Sequence, residues 1–149
     1  MARTLSLTVD AAPLADLGRI RRFVLDGAET LGADPVTADD LVIAIDEAAT
    51  NVIRYGYRDQ PGRISVELEL NGNSTLAMRL SDDAPLFDPT TQWPEPDLSL
   101  DIGERPFGGM GIHLMRTSTD RLVHKGRGQT GNDLTFFKEL KAQERSLGG

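Results

Sequence analysis

The stretch "GRISVELELNGNSTLAMRLSDD", residues 62–83, constrains the fold more than any other. Ile64, Val66, Leu68 and Leu70 alternate with Ser65, Glu67 and Glu69, and the alternation resumes with Leu76, Met78 and Leu80. A period of two puts each run's apolar side chains on one face of a strand. Between the runs lies Asn71-Gly72-Asn73-Ser74, and Asn-Gly is the dipeptide best suited to a tight hairpin. Two antiparallel strands with one apolar face follow, and that face needs a cover.

The segments before the hairpin supply the cover. "TLSLTVDA" alternates Leu5, Leu7 and Val9 against Thr4, Ser6 and Thr8, as a half-buried strand does. "PLADLGRIRRFVLDGAETLG" then spaces Leu14, Leu17, Ile20, Val24, Leu25 and Ala28 as a helix does, with Gly32 as its stop. A second helix is predicted from an Asp34 N-cap and Pro35 to about Tyr55, with Gly56 near its end. From Ala84 to Gly109 the chain is proline-rich and without period, which reads as either a functional lid or a disordered segment. "GIHLMRTSTD" regains a helical pattern, and "RLVHKGRG" and "NDLTFFKEL" read as two closing strands.

This order predicts one α+β domain over residues 1–149: a two-layer α/β sandwich in which a mostly antiparallel mixed sheet is covered on one face by helices. A chain of 149 residues is long enough for one sizeable core. No stretch of about 18 apolar residues is present to span a membrane, and the first residues lack a signal-peptide pattern, so a cytoplasmic protein is expected. The absence of cysteine excludes disulfides and a thiol nucleophile, and with only His113 and His124 a histidine-rich metal site is excluded too. A net charge of −7 with a pI near 4.8 argues against direct nucleic-acid binding, which needs Lys and Arg to neutralise phosphates.

Three constellations bear on chemistry. In "AIDEAATNVIRYGY" helical spacing aligns Glu47, Thr50, Asn51 and Arg54 on one stripe, opposite Leu41, Ala44, Ile45, Ala48, Ala49, Val52 and Ile53. The stripe reads either as a solvated face with a Glu47/Arg54 ion pair or as the wall of a site. Asn51 favours the second, because asparagine is a poor mid-helix residue and its carbonyl oxygen suits a hard cation such as Mg²⁺. "GGMG", residues 108–111, precedes a helical pattern and can aim backbone N–H groups at an anion, or it can be a plain flexible loop. In "LSDDAPLFDP", Asp82 and Asp83 are either turn formers or carboxylates that accept a hydrogen bond from an exocyclic amine.

Taken in chain order, these pieces resemble the GHKL superfamily of ATPases, with the Bergerat or histidine-kinase-like ATPase fold, and within it the anti-sigma factor serine/threonine kinases. Glu47-x-x-x-Asn51 is similar to the family's N box, "DDA" from Asp82 to its first glycine box, "GGMG" to its second, and "GNDLTFFK" from Gly131 to its closing strand. The resemblance implies a nucleotide pocket formed by Asn51, Arg54, Asp82, Ala84, Gly108, Gly109, Met110, Gly111 and Asn132. Asn51 would ligate Mg²⁺ on ATP, Asp82 would hold the adenine amine, Arg54 would reach a phosphate, and residues 84–108 would form a mobile ATP lid, with Arg105 a further phosphate contact.

The resemblance makes Glu47 the general base for a serine or threonine hydroxyl. The implied substrate is an anti-sigma factor antagonist, the implied second partner a sigma factor, and the implied assembly a homodimer. One departure stands out: the family usually has glycine where this chain has Ala84. If that position needs positive φ, a methyl there is costly. The implied consequence is weak ATP binding or a rearranged strand end with Asp83 in place of Asp82. The alternative function is then a catalytically weak or inactive partner-switching protein on the same fold.

Overall fold

The computed structural model describes residues 3–10, 14–72, 74–87 and 118–140. The elements run β1 (Arg3–Val9), a 3₁₀ turn (Leu14–Asp16), α1 (Leu17–Thr30), α2 (Pro35–Asn51), a π-helical turn (Val52–Gly56), β2 (Ile64–Asn71), β3 (Thr75–Pro85), β4 (Arg121–Gly126) and β5 (Thr130–Glu139). The first helix thus begins with a 3₁₀ turn where a continuous helix was predicted, and Gly32, at φ +108°, follows its end. Asp34 caps α2 by accepting the Thr37 N–H at 2.8 Å, with Pro35 in the first turn. Among the described residues no helix is long and apolar enough to cross a membrane.

The five strands form one sheet in the order β1-β2-β3-β5-β4. Every pairing among them is antiparallel, so the described sheet is not mixed. The hairpin strands β2 and β3 pair from Ile64↔Asp82 to Asn71↔Thr75. The register stacks inward-facing residues in rows across the sheet. Leu5, Leu68, Met78, Phe136 and Leu122 form one, and Leu7, Val66, Leu80, Leu134 and His124 the next.

Leu68, Met78 and Phe136 are fully buried in these rows, beneath Ile20 and Val24 of α1 and Leu41 and Ile45 of α2. Burying one such side chain contributes about 1.5–3 kcal/mol, and with both helices on this face the core lies between the two layers. Ala44, Ala48 and Ala49 are buried on α2, small enough to let that helix lie close to its neighbours. An ion pair of 3.2 Å between Asp40 of α2 and Lys138 of β5 ties the helix to the sheet at the far end from the Asp82 row.

Candidate functional site

The row after Leu7–Val66–Leu80–Leu134 is where polarity enters the core. It consists of Val9, Ile64, Asp82 and Asn132. Asp82 continues the inward series Leu76, Met78 and Leu80 of β3, so alternation places a carboxylate at a core position, and it is only 3% exposed. A buried carboxylate needs donors. Asp82 Oδ1 accepts from Asn132 Nδ2 at 2.9 Å and from the Ala84 N–H at 2.9 Å. Burial pushes its pKa up, against the Asn132 and Ala84 hydrogen bonds and the positive charge of Arg127.

Ala84 belongs to β3, which therefore runs two residues into the segment predicted as lid. Among the described non-glycine residues only Arg58 and Asp59 have positive φ, so the Ala84 methyl imposes no left-handed strain. The methyl is 3% exposed and packs on the π-helical turn, where a Cβ added to Gly56 would stand 2.9 Å from it. Between Asp82↔Asn132 and Pro85↔Thr130 the register slips by one residue on β3, a bulge. Arg127 occupies the disrupted ladder, donating from Nη2 to the Asp82 carbonyl and from Nη1 to the Asn132 carbonyl.

Asp83 does not take the place of Asp82. Its side chain is exposed on the opposite side of the sheet, where Arg63 donates to both oxygens at 3.0 Å and Arg127 Nη2 lies 3.1 Å from Oδ1. The Arg63 hydrogen bond first, and then the charges of both arginines, hold its carboxyl below the usual carboxylate range. Tyr57 locks this strand end to the turn after α2, donating its hydroxyl to the Arg63 carbonyl and accepting the Asp83 N–H at 2.8 Å.

The other wall comes from α2. Glu47, Thr50 and Asn51 are half-buried on its polar stripe. Burial, and then the neighbouring Asp46 charge, push the Glu47 pKa up, while Asp46 lies 2.8 Å from Arg21 of α1 as an ion pair. The Asn51 amide nitrogen is buried and finds no acceptor among the described residues. An unpartnered N–H donor suits an anionic oxygen such as a phosphate's, and the side-chain oxygen of Asn51 is of the kind Mg²⁺ takes.

After Asn51 the helix widens to the π form, and the Tyr57 N–H reaches the Val52 carbonyl at 2.7 Å. Such turns recur at functional sites. Arg54 lies within this turn and is exposed. The structure joins Asp82, Ala84 and Asn132 directly and sets Glu47 and Asn51 on one face of α2, with Arg54 exposed in the turn that follows. The predicted Gly108, Gly109, Met110 and Gly111, with Arg105, His113 and the rest of the lid from 88 onward, lie outside the described residues.

Sequence reasoning missed His124, Arg127 and Tyr57. His124 had a signal, since it falls on the inward side of β4 between Leu122 and Gly126, and its Nε2 lies 2.8 Å from Asn132 Oδ1. The guanidinium bridge and the tyrosine lock depend on the bulge and the π turn, neither of which has a pattern in the sequence.

Comparison with known proteins bears on family and fold. The sequence model of the family described as histidine kinase-like ATPase domain matches residues 11–138. A Listeria monocytogenes protein named serine-protein kinase RsbW is 32% identical over 122 residues, covering 78% of this chain and 75% of that protein. A Bacillus cereus protein of the same name is 29% identical over 110 residues, covering 71% and 68%. Among solved structures, the RsbU and RsbW domains of a Mycobacterium tuberculosis protein superpose with a TM-score of 0.63 at 19% identity, over 93% of this chain and 32% of that one. The Acinetobacter baumannii histidine kinase AdeS superposes with a TM-score of 0.52 at 10% identity, over 93% and 69%.

Proposed function

The chain belongs to the histidine kinase-like ATPase family, among the anti-sigma factor kinases whose members carry the name serine-protein kinase RsbW, and on that footing we propose that it is an ATP-dependent protein serine/threonine kinase. Its substrate is an anti-sigma factor antagonist, and phosphorylation of that antagonist controls the release of a sigma factor. The protein works in the cytoplasm as a homodimer.

The observation that carries this reading is Asp82, a carboxylate set at a core position and aimed by two donors. A buried carboxylate is costly to the fold, and its chemistry suits it to accept from the exocyclic amine of adenine. Asn51 would hold Mg²⁺ through its side-chain oxygen, and the ion supplies neutralisation of the phosphates. Glu47 accepts the proton of the substrate hydroxyl, whose oxygen takes the γ-phosphoryl group as ADP departs. A carboxylate with a raised pKa is better matched to that proton transfer than one with an ordinary value.

The weaker alternative, a switch protein with little catalysis, drew its support from Ala84, and the backbone there is unstrained. Incubation with labelled ATP and the cognate antagonist tests the reading. Label should pass to a serine or threonine of the antagonist with the wild-type chain and not with Glu47→Gln, while both are stabilised by ATP with Mg²⁺. Equal transfer by both would remove Glu47 from the reaction, and no stabilisation of either would remove the ATP site.

A further inference from the structure

The side chain of Asn132 has no hydrogen-bonding capacity left for a ligand. An asparagine amide offers two N–H donors and one oxygen with two lone pairs. Nδ2 donates to Asp82 Oδ1 at 2.9 Å and to the Pro85 carbonyl at 3.1 Å, with the Ala84 carbonyl at 3.4 Å. Oδ1 accepts from the Phe87 N–H at 3.0 Å and lies 2.8 Å from His124 Nε2. A backbone N–H can only donate and an ionised carboxylate or a carbonyl can only accept, so one orientation of the amide satisfies all of them. In that orientation His124 must present Nε2–H.

Resting on the reading of Asp82 as the base-recognising carboxylate, we infer that Asn132 and His124 are positioning residues for base selectivity, holding Asp82 as a hydrogen-bond acceptor. An acceptor at this place takes the 6-amino group of adenine and opposes the 6-oxo group of hypoxanthine or guanine.

The physical reason is that a buried carboxyl group has two states with opposite hydrogen-bonding character. Ionised, it accepts; protonated, it donates, and it then pairs with a 6-oxo purine. Burial drives Asp82 toward the protonated state, and the donors around it drive it back, with Asn132 first, then the Ala84 N–H and the Arg127 charge. Asp83, the other nearby acid, faces away and is paired with Arg63 and Arg127.

The amide of Asn132 keeps its donor edge on Asp82 only while its oxygen is held from the other side. Phe87 and His124 do the holding. Without His124 the Asn132 oxygen is held by the Phe87 N–H alone, the amide's donor edge is fixed less firmly on Asp82 Oδ1, and the carboxyl takes a proton from solvent more readily. Base selectivity at Asp82 is thereby set from β4, an edge strand one removed in the sheet, by a side chain that does not touch the nucleotide.

The test is calorimetric titration of the full chain with ATP and with inosine triphosphate, which differ at position 6 of the base. The wild type should favour ATP by about tenfold or more, the worth of one good hydrogen bond opposed to one repulsion. His124→Leu and Asn132→Leu should narrow that preference to within about threefold, largely through tighter inosine triphosphate binding. His124→Gln keeps an N–H donor and should restore it, an outcome that general weakening of β4 would not give. His124→Thr, suited to an edge strand and too short to reach Asn132, makes the same comparison should leucine disturb the fold. An undiminished ATP preference in His124→Leu or His124→Thr would overturn the inference and leave the ATP site standing. A wild type that binds neither nucleotide would instead overturn the adenine-site reading, and this inference with it.

Discussion

Gly56 and Ala84 are a matched pair: a Cβ on Gly56 would lie 2.9 Å from the Ala84 methyl, closer than carbon atoms pack. The π-helical turn and the end of β3 meet at this point, and only one of the two residues can carry a side chain.

Gly56→Ala should therefore destabilise the protein by about 1–3 kcal/mol through overpacking, although alanine favours helix over glycine. In an Ala84→Gly background the same change should be neutral or stabilising. Urea denaturation of the four chains measures the coupling, and additive effects would show that the two residues are not in competition for one space.

Asp82→Asn should raise stability and abolish nucleotide binding together. Burial raises the Asp82 pKa, so between the unfolded value of 3.8 and the higher folded value the native state holds a proton that the unfolded chain has lost. Stability then falls as pH rises through that window, and at pH 7 the wild type bears the whole effect. Asparagine carries no such charge and still accepts from Asn132. In thermal melts without nucleotide the variant should melt above the wild type at pH 7, with the gap closing toward pH 4. A variant that melts lower at pH 7 would contradict this sign.

Phosphotransfer should fall at low pH with a midpoint above 4.5, because burial and the Asp46 charge raise Glu47 and the base must be ionised to act. Asp46→Asn should move that acid limb downward, and Glu47→Gln should lower the rate by about 10²–10⁴-fold, the range for general-base catalysis. A pH–rate profile that Asp46→Asn leaves in place would separate Glu47 from the titration.

Asn51→Leu should leave the protein without nucleotide as stable as the wild type or more so, since it removes a buried amide nitrogen with no acceptor, a group that costs about 1–3 kcal/mol. The stabilisation by ATP should persist in part, but its Mg²⁺-dependent portion should vanish. Melts with ATP in the presence of Mg²⁺ or of a chelator read the two portions separately. A full Mg²⁺-dependent shift in the variant would place the ion elsewhere.

Much of the fold is legible in the sequence. Strict alternation in β2 and β3 gave their register, because a slip of one residue would have turned Val66, Leu68 and Met78 to solvent. The same alternation, carried past Leu80, marks Asp82 as inward and Asp83 as outward, which answers which of the two faces the core. The insertion of β5 between β3 and β4 was not legible, since strand order depends on long-range pairing and not on local pattern. Nor was the π-helical turn at Val52–Gly56, because its residues continue the α-helical apolar spacing of α2. Ala84 looked like a defect when considered alone and became ordinary once Gly56 stood opposite.

The central pairing of the sheet has a kinetic consequence. Asp82 and Asn132 meet across fifty positions of chain, whereas the β2–β3 hairpin closes over a tight turn. Loop closure of that length costs more entropy and is slower than hairpin formation, so β5 is expected to dock after the hairpin has formed. Until it docks, β3 has an open edge and Asp82 lacks the amide that aims it. Nucleotide can therefore grip only the finished molecule, and in stopped-flow experiments ATP should slow unfolding and leave the folding rate as it was.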